Sequence, residues 1–219
     1  TLLAESLRSI QNDVKERRPV DTADIDKIID TIFKLLKSQR NELIQFIFFG
    51  TQGEADSAEN ALNCTVVTAI IGMSLNMIQH KLLGVATGAL LHDIGMLRVP
   101  DEIVRKKGKL EPGELQNIKA HTIHSYKIIT KEMKYPDEIA LTALQHHERW
   151  DGEGYPKGLS GKQISLAARI ITVADAFVAM VSERPYRNSM IGYVAMRAIL
   201  SDNGRRFDPE ILKVFIKSM

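Results

Sequence analysis

The sequence predicts an all-α protein, and three observations carry that reading. Apolar residues recur at steps of three and four along most of the chain, which lines one face of a helix. No segment shows the period-two alternation of a half-buried strand. Helix-start and helix-stop residues fall at the ends of the apolar stripes.

Taken in order, Leu3, Leu7, Ile10 and Val14 form the first stripe, and Pro19 ends it. Asp21-Thr22-Ala23-Asp24 opens a second helix, striped by Ile25, Ile28, Ile29, Ile32, Phe33 and Leu36. A third covers 41–49 and stops at Gly50. The polar stretch 51–56, with Gly53, marks a boundary, so residues 1–53 form an N-terminal helical segment and 54–219 the main domain. That domain opens with long helices over 60–79 and 81–93, the second almost entirely apolar until its end. A loop over 97–108 carries a short helix after Pro100. Helices over 111–134 and 137–149 follow, then a loop over 150–163, a strongly apolar helix over 164–182, and helices over 191–200 and 208–217. The 150–163 loop is long for a compact helical domain, and loops of that length are usually functional or disordered. Its Gly152, Gly154, Gly158, Gly161 and Pro156 argue for one specific conformation.

The bulk properties bound the function. A chain of 219 residues holds one domain with a small appendage. Hydrophobic residues at 44% and charged residues at 26% are the composition of a soluble globular protein. A net charge of +2 without a polybasic arm argues against polymeric nucleic acid, while local arginines and lysines remain free to hold a small acidic ligand. Cys64 is the single cysteine, so no disulfide forms within the chain, and a reducing, cytoplasmic setting is expected. Apolar runs such as 44–50 fall far short of the roughly 20 residues that span a bilayer, so no membrane segment is expected here. The chain starts at Thr1, which leaves room for an upstream sensor domain.

The candidate chemistry begins with buried charge. His92-Asp93 follows ten uncharged residues, and Asp175 sits within the apolar run 166–182. A carboxylate there is costly unless compensated. For a single aspartate an ion pair is the more frequent compensation. Six histidines change the balance, because His92, His121, His124, His146 and His147 lie in the middle of the chain. Imidazoles and carboxylates together are the ligand set for iron, manganese or zinc. Four helices offering one or two ligands each converge readily in a bundle core.

At this point the sequence resembles the HD-GYP family of bacterial signalling phosphodiesterases, whose domain is a helical bundle of the HD type. The resemblance rests on Leu90-Leu-His-Asp-Ile-Gly95, Val99-Pro-Asp101, His121, Leu144-Gln-His-His-Glu148, Asp151-Gly-Glu-Gly-Tyr-Pro-Lys-Gly-Leu159, Ala168-Arg-Ile170, Val173-Ala-Asp175 and Arg184-Pro-Tyr186. It runs from about 54 to 188 and more loosely to the end. It implies a metal-dependent phosphodiesterase acting on a cyclic dinucleotide, cyclic di-GMP first. It implies metal ligation by His92, Asp93, His121, His146, His147 and Asp175, with Asp93 bridging two ions, and Glu59 as a further ligand by analogy with some members. Two or three divalent transition metals are implied, iron or manganese ahead of zinc or nickel. Asp151 and Gly154-Tyr155-Pro156 are implied to lie beside the substrate, and Arg184 and Arg187 to face its phosphate. The catalytic assignments are then Asp93, Arg184 and Arg187. Signalling-protein partners and a homodimer are further expectations of the same kind.

The departures are specific. The family's histidine in the first core helix is Asn63, its lysine three residues after the His-Asp pair is Met96, and a later aspartate is Val178. They define an alternative function, a degenerate domain that binds a cyclic dinucleotide or a protein partner with little turnover. A purely structural domain without metal is the third reading, disfavoured by the surviving ligand set. Glu59 and His124 also admit plain surface roles, His80 reads as a surface residue, Cys64 as a buried thiol, and Trp150 as a core or loop anchor.

Overall fold

A computed structural model describes residues 2–49, 56–182 and 190–219. Helix α1 (Leu2–Lys15) buries Ala4, Leu7, Ile10 and Val14, the face its spacing dictates. It ends where Arg17 takes φ 56°, which lets Arg17 N–H donate to Val14 O (3.1 Å) and Arg18 N–H to Asp13 O (2.8 Å). These bonds satisfy carbonyls that the last helical turn leaves open. Asp21 caps α2 (Thr22–Ser38) by accepting Ala23 N–H at 2.9 Å, and α3 (Arg40–Phe49) follows.

Asp56 caps α4 (Ser57–Ser74), accepting Glu59 N–H at 2.9 Å. The sequence predicts this helix to run to residue 79. It stops five residues earlier because Asn76 takes φ 54° and Met77 N–H closes back onto Gly72 O (3.1 Å). Helix α5 (Gln79–Leu91) leads into a 3₁₀ turn (Ile94–Arg98) and the short α6 (Asp101–Val104). The single helix expected over 111–134 is three pieces: α7 (Pro112–Lys119), α8 (His121–Lys127) and a π turn (Ile128–Glu132). Helices α9 (Asp137–Gln145), α10 (Leu166–Val181), α11 (Gly192–Ser201) and α12 (Pro209–Ser218) complete the order. The described residues contain no strand, only an isolated bridge between Asn203 and Phe207.

Helix α4 is the axis, buried on nearly all sides and packed against α5, α10, α1 and α12. Helix α5 also meets α9, and α8 packs against α9 and the 3₁₀ turn. The N-terminal helices are continuous with this core, since α1 lies on α4 and the 3₁₀ turn while α2 reaches α4 and α5. Each fully buried Ile or Leu at these contacts contributes about 1.5–3 kcal/mol of transfer free energy. No described helix is long and apolar enough to cross a membrane.

Candidate metal centre

Three histidines stand just beyond the ends of three helices. His92 follows α5, His146 follows α9, and His121 comes two residues after α7. A helix end leaves carbonyls without intrahelical partners. Each ring uses one of them: Nδ1 of His92 lies 2.7 Å from Ala89 O, Nδ1 of His121 2.6 Å from Ile118 O, and Nδ1 of His146 2.8 Å from Ala143 O. With Nδ1–H donating to the backbone, the lone pair of Nε2 is left to face inward, as in histidine metal ligands.

Asp93 sits at the centre. Its Oδ1 lies 3.2 Å from His121 Nε2 and 3.4 Å from His146 Nε2, while its Oδ2 lies 3.4 Å from His92 Nε2. His92 Nε2 also stands 3.7 Å from Asp175 Oδ1 on α10. The ligand atoms of Asp93, His121, His146 and His147 all lie within 4.8 Å of one another. Asp93 therefore turns one oxygen toward each of two donor sets. Gly95 makes this geometry accessible. A Cβ there would come within 2.1 Å of His121 O and 2.4 Å of Ser125 N, so only glycine lets the turn after Asp93 press onto α8. Gly95 N–H donates to Ser125 Oγ and that hydroxyl to His92 O, both at 2.8 Å, locking the two ligand-bearing segments together.

Electrostatics agree with a ligand role. Burial opposes the charge on Asp93, yet the facing imidazoles of His92, His121 and His146 hold its carboxyl well below the usual range. Burial opposes the charge on Asp175 as well, yet the neighbouring His92 imidazole holds it at about 2. Burial, reinforced by His146, drives His147 down to about 2, and burial likewise keeps His146 below its ordinary value. Both rings are thereby neutral, the form that binds a metal. Burial works against a charged His92, but Asp93 and Asp175 raise it well above its ordinary value. His92 Nε2 is a buried polar atom without a hydrogen-bond partner. Such an atom needs a reason, and a cation between it, Asp93 and Asp175 supplies one. The group is able to bind metal ions.

The 150–163 loop folds over this cluster. Glu148 is buried, and its carboxylate accepts Lys157 N–H (2.7 Å) and Leu159 N–H (2.9 Å). Tyr155 N–H donates to His147 O (3.2 Å), and the Tyr155 ring stacks on His147 at 4.8 Å. Gly154 lies so close to the end of α9 that a Cβ would sit 2.4–2.6 Å from three backbone atoms of 147–149. Lys119 places its ammonium 5.1 Å from the Tyr155 ring centroid, at the rim of the cluster. Neither Glu148 nor Lys119 was assigned a role from sequence. The available signals were their positions, directly after His147 and two residues before His121.

Other expected residues lie elsewhere. Glu59 pairs with Arg8 of α1 (3.2 Å), and it lines a largely apolar cavity of about 340 Å³ together with Leu62, Asn63 and Val66. Asp151, expected beside the substrate, pairs with Arg149 (2.6 Å) and accepts Glu153 N–H (3.1 Å), so its charge shapes the loop. Val178 is in the hydrophobic core. Met96 is half-buried in the 3₁₀ turn. His124 lines a separate basic cleft, and Trp150 lies under Arg169, which pairs with Asp208 (2.6 Å). Pro156 follows Tyr155 through a cis peptide. Arg184 and Arg187 fall outside the described residues.

Comparison with known proteins bears on this arrangement. The chain is 44% identical over 133 residues to a cyclic di-GMP phosphodiesterase of Thermotoga maritima, covering 59% of this chain and 35% of that protein. It is 30% identical over 211 residues to the cyclic di-GMP phosphodiesterase PA4108 of Pseudomonas aeruginosa, covering 96% and 50%. The chain thus spans about a third to a half of the length of these curated relatives. Among solved structures, Bd1817, an HDG"Y"P protein from Bdellovibrio bacteriovorus, superposes with a TM-score of 0.75 at 15% identity, over 98% of this chain and 68% of that one. At that identity the likeness speaks to fold. The model of the HD domain family matches residues 50–211, a span that contains every ligand of the cluster. Because it covers most of the chain, and because the His-Asp pair for which such domains are known stands at the centre of the assembled site, the chain belongs to the HD-domain family.

Proposed function

We propose that the chain is a metal-dependent phosphodiesterase domain acting on a cyclic dinucleotide, with cyclic di-GMP the first candidate. The two-sided placement of Asp93 carries this reading. Oδ1 faces His121 and His146, Oδ2 faces His92, and Asp175 stands behind His92. Asp93, His121, His146 and His147 would hold one ion, and His92, Asp93 and Asp175 a second. Iron or manganese suits this mixture of imidazole and carboxylate. With Glu59 engaged by Arg8 and Asn63 on an apolar cavity, two ions fit better than three. A bound pair of divalent ions supplies Lewis acidity toward a phosphodiester and lowers the pKa of water beside it.

The chain's own groups do the rest. Asp93 and Asp175 bring two negative charges that offset the cations. Tyr155, stacked on His147, closes one side of the site and offers an aromatic face to a base or sugar. Lys119 stands at the rim with a mobile positive charge, where a phosphate oxygen would meet it, and so compensates for the lysine that Met96 replaces. Arg184 and Arg187 are proposed as additional phosphate clamps, as the family resemblance implies. We also take residues 1–53 to be a helical segment docked on the domain spanning 54–219, in a reducing compartment suited to the lone Cys64.

The test is turnover of cyclic di-GMP by protein reconstituted with Mn(II) or Fe(II), with cyclic GMP-AMP as the competitor substrate. Relatives that are phosphodiesterases of cyclic di-GMP and of 3'3'-cGAMP support both substrates. Hydrolysis of neither would overturn the enzyme reading. Binding without hydrolysis is the outcome that Asn63 and Met96 would favour.

A further inference from the structure

A wide basic cleft lies apart from the metal centre, with none of the cluster's side chains in its lining. It has a volume of about 740 Å³ and is lined by Arg17, Arg18, Pro19, Val20, Arg98, His124, Lys127, Ile128 and Glu132. One wall is the α1–α2 connection. The other is the end of the 3₁₀ turn together with α8 and the π turn. Four permanent cations face one carboxylate. Arg98 is spent on Glu132 (2.9 Å), and Arg18 on Asp13 (2.7 Å) and Glu16. Arg17 and Lys127 have no carboxylate within ion-pair distance among the described residues, which leaves two positive charges uncompensated. Burial, with Lys127 and Arg98, holds the nearby His124 imidazole below its ordinary value, as expected in a positive field.

The backbone sets where Arg17 stands. Arg17 occupies the left-handed conformation that ends α1, with φ 56°. Glycine or asparagine is usual there, and a side chain as long as arginine is disfavoured. Asn76 at the end of α4 and Lys134 after the π turn share this conformation, so its first role is to end the helix. Here it delivers a long cation into the cleft.

We propose that this cleft binds a phosphomonoester, held by Arg17 and Lys127 with Arg98 beside them. Two free cations match the charge of about −1.5 to −2 on a phosphomonoester at neutral pH, and exceed the single charge of a diester. The volume is that of a small-molecule site, large enough for a mononucleotide. Arg98 closes the turn that begins beside Asp93, and His124 lies one helical turn from His121, so an occupant would rest on two segments that carry metal ligands. The assignment is independent of the hydrolase reading, because it is tested on metal-free protein.

The experiment is calorimetric titration of chelator-treated protein with GMP, inorganic phosphate and guanosine. GMP should bind, with affinity falling steeply as salt rises. Tighter binding of GMP than of phosphate identifies a nucleotide as the ligand. Equal binding identifies the phosphate group alone, and either result supports the assignment. Guanosine should not bind. Lys127→Ala should weaken GMP roughly tenfold or more, the scale of a lost charge-assisted hydrogen bond. Arg17→Gly should do the same while keeping or raising Tm, since glycine accepts this backbone conformation without strain. Absence of GMP binding, guanosine binding as tightly as GMP, or a folded Arg17→Gly/Lys127→Ala double variant that binds like wild type would each overturn the proposal.

Discussion

At the scale of single residues, the centre works because a helix end and an imidazole solve each other's problem. The orphan carbonyls of Ala89, Ile118 and Ala143 fix three rings by Nδ1 and leave Nε2 as the ligand atom. Removing one ring removes a neutral ligand and leaves an orphan carbonyl behind. His121→Ala and His146→Ala should therefore each lower metal content, measured by elemental analysis of protein purified without chelator. Equal metal in wild type and in the double variant would refute the cluster. Lys119 belongs to a different class. It is exposed and touches no ligand except through Tyr155, so Lys119→Ala should leave metal content unchanged and raise KM for cyclic di-GMP about five- to tenfold with a smaller effect on kcat, the pattern of lost binding. A fall in kcat at unchanged KM would place the lysine in the reaction itself.

At the scale of elements, periodicity made the helices legible and little else. The stripes of α1 and α2 gave their buried faces directly, and Asp21 and Pro19 gave boundaries, while the stop expected at Gly50 lies outside the described residues. The breaks were hidden because they rest on backbone dihedrals that ordinary residues adopt: Asn76 at φ 54° ends α4, and Ala120 at ψ −13° divides α7 from α8. That second break matters, since it puts His121 just beyond a helix end. His92, Asp93, His121, His146 and His147 could be singled out as a set from their residue types and the family resemblance, whereas the Arg8–Glu59 pair spans 51 residues and leaves no local mark. The signature loop reads differently once its contacts are known. A loose surface loop would let Gly154→Val harm binding more than stability. The tight approach of Gly154 to 147–149 and the two bonds to buried Glu148 make the loop a structural cover for His147. Glu148→Ala strands two N–H groups that a carboxylate had satisfied, at a cost of about 2–3 kcal/mol. For a domain of this size that is roughly 5–10 °C in Tm by calorimetry. Gly154→Val should lower Tm and substrate binding together. An unchanged Tm in either variant would mean that the loop is not held as described.

At the scale of the whole molecule, the N-terminal helices govern the chemistry of a face that belongs to the main domain. Arg8 of α1 reaches over to Asp56 and Glu59, while Lys15 pairs with Asp101 (2.9 Å), so α1 straps the start of α4 to the segment after the 3₁₀ turn. These pairs are partly exposed and contribute little stability individually. Their consequence is positional, because Glu59, one helical turn before Asn63, is held by a cation that belongs to the protein. A third metal ion on this face would need both a ligand at 63 and a free carboxylate at 59. Wild type should therefore hold two ions per chain, and Asn63→His alone should add little. Asn63→His combined with Arg8→Ala should raise the count toward three, read by elemental analysis after dialysis against Mn(II). Met96→Lys acts on a separate quantity. It restores a cation near Asp93 without adding a ligand, so it should raise turnover at constant metal content by about tenfold, the scale of one charge-assisted contact expressed in the transition state. Because Asn63 and Glu59 share a helix face, their effects should not be additive, and each variant needs its own measurement. Three ions in the wild type would show that other donors replace Asn63 and Glu59. An unchanged count in the Arg8→Ala, Asn63→His variant would show that the strap does not limit the site.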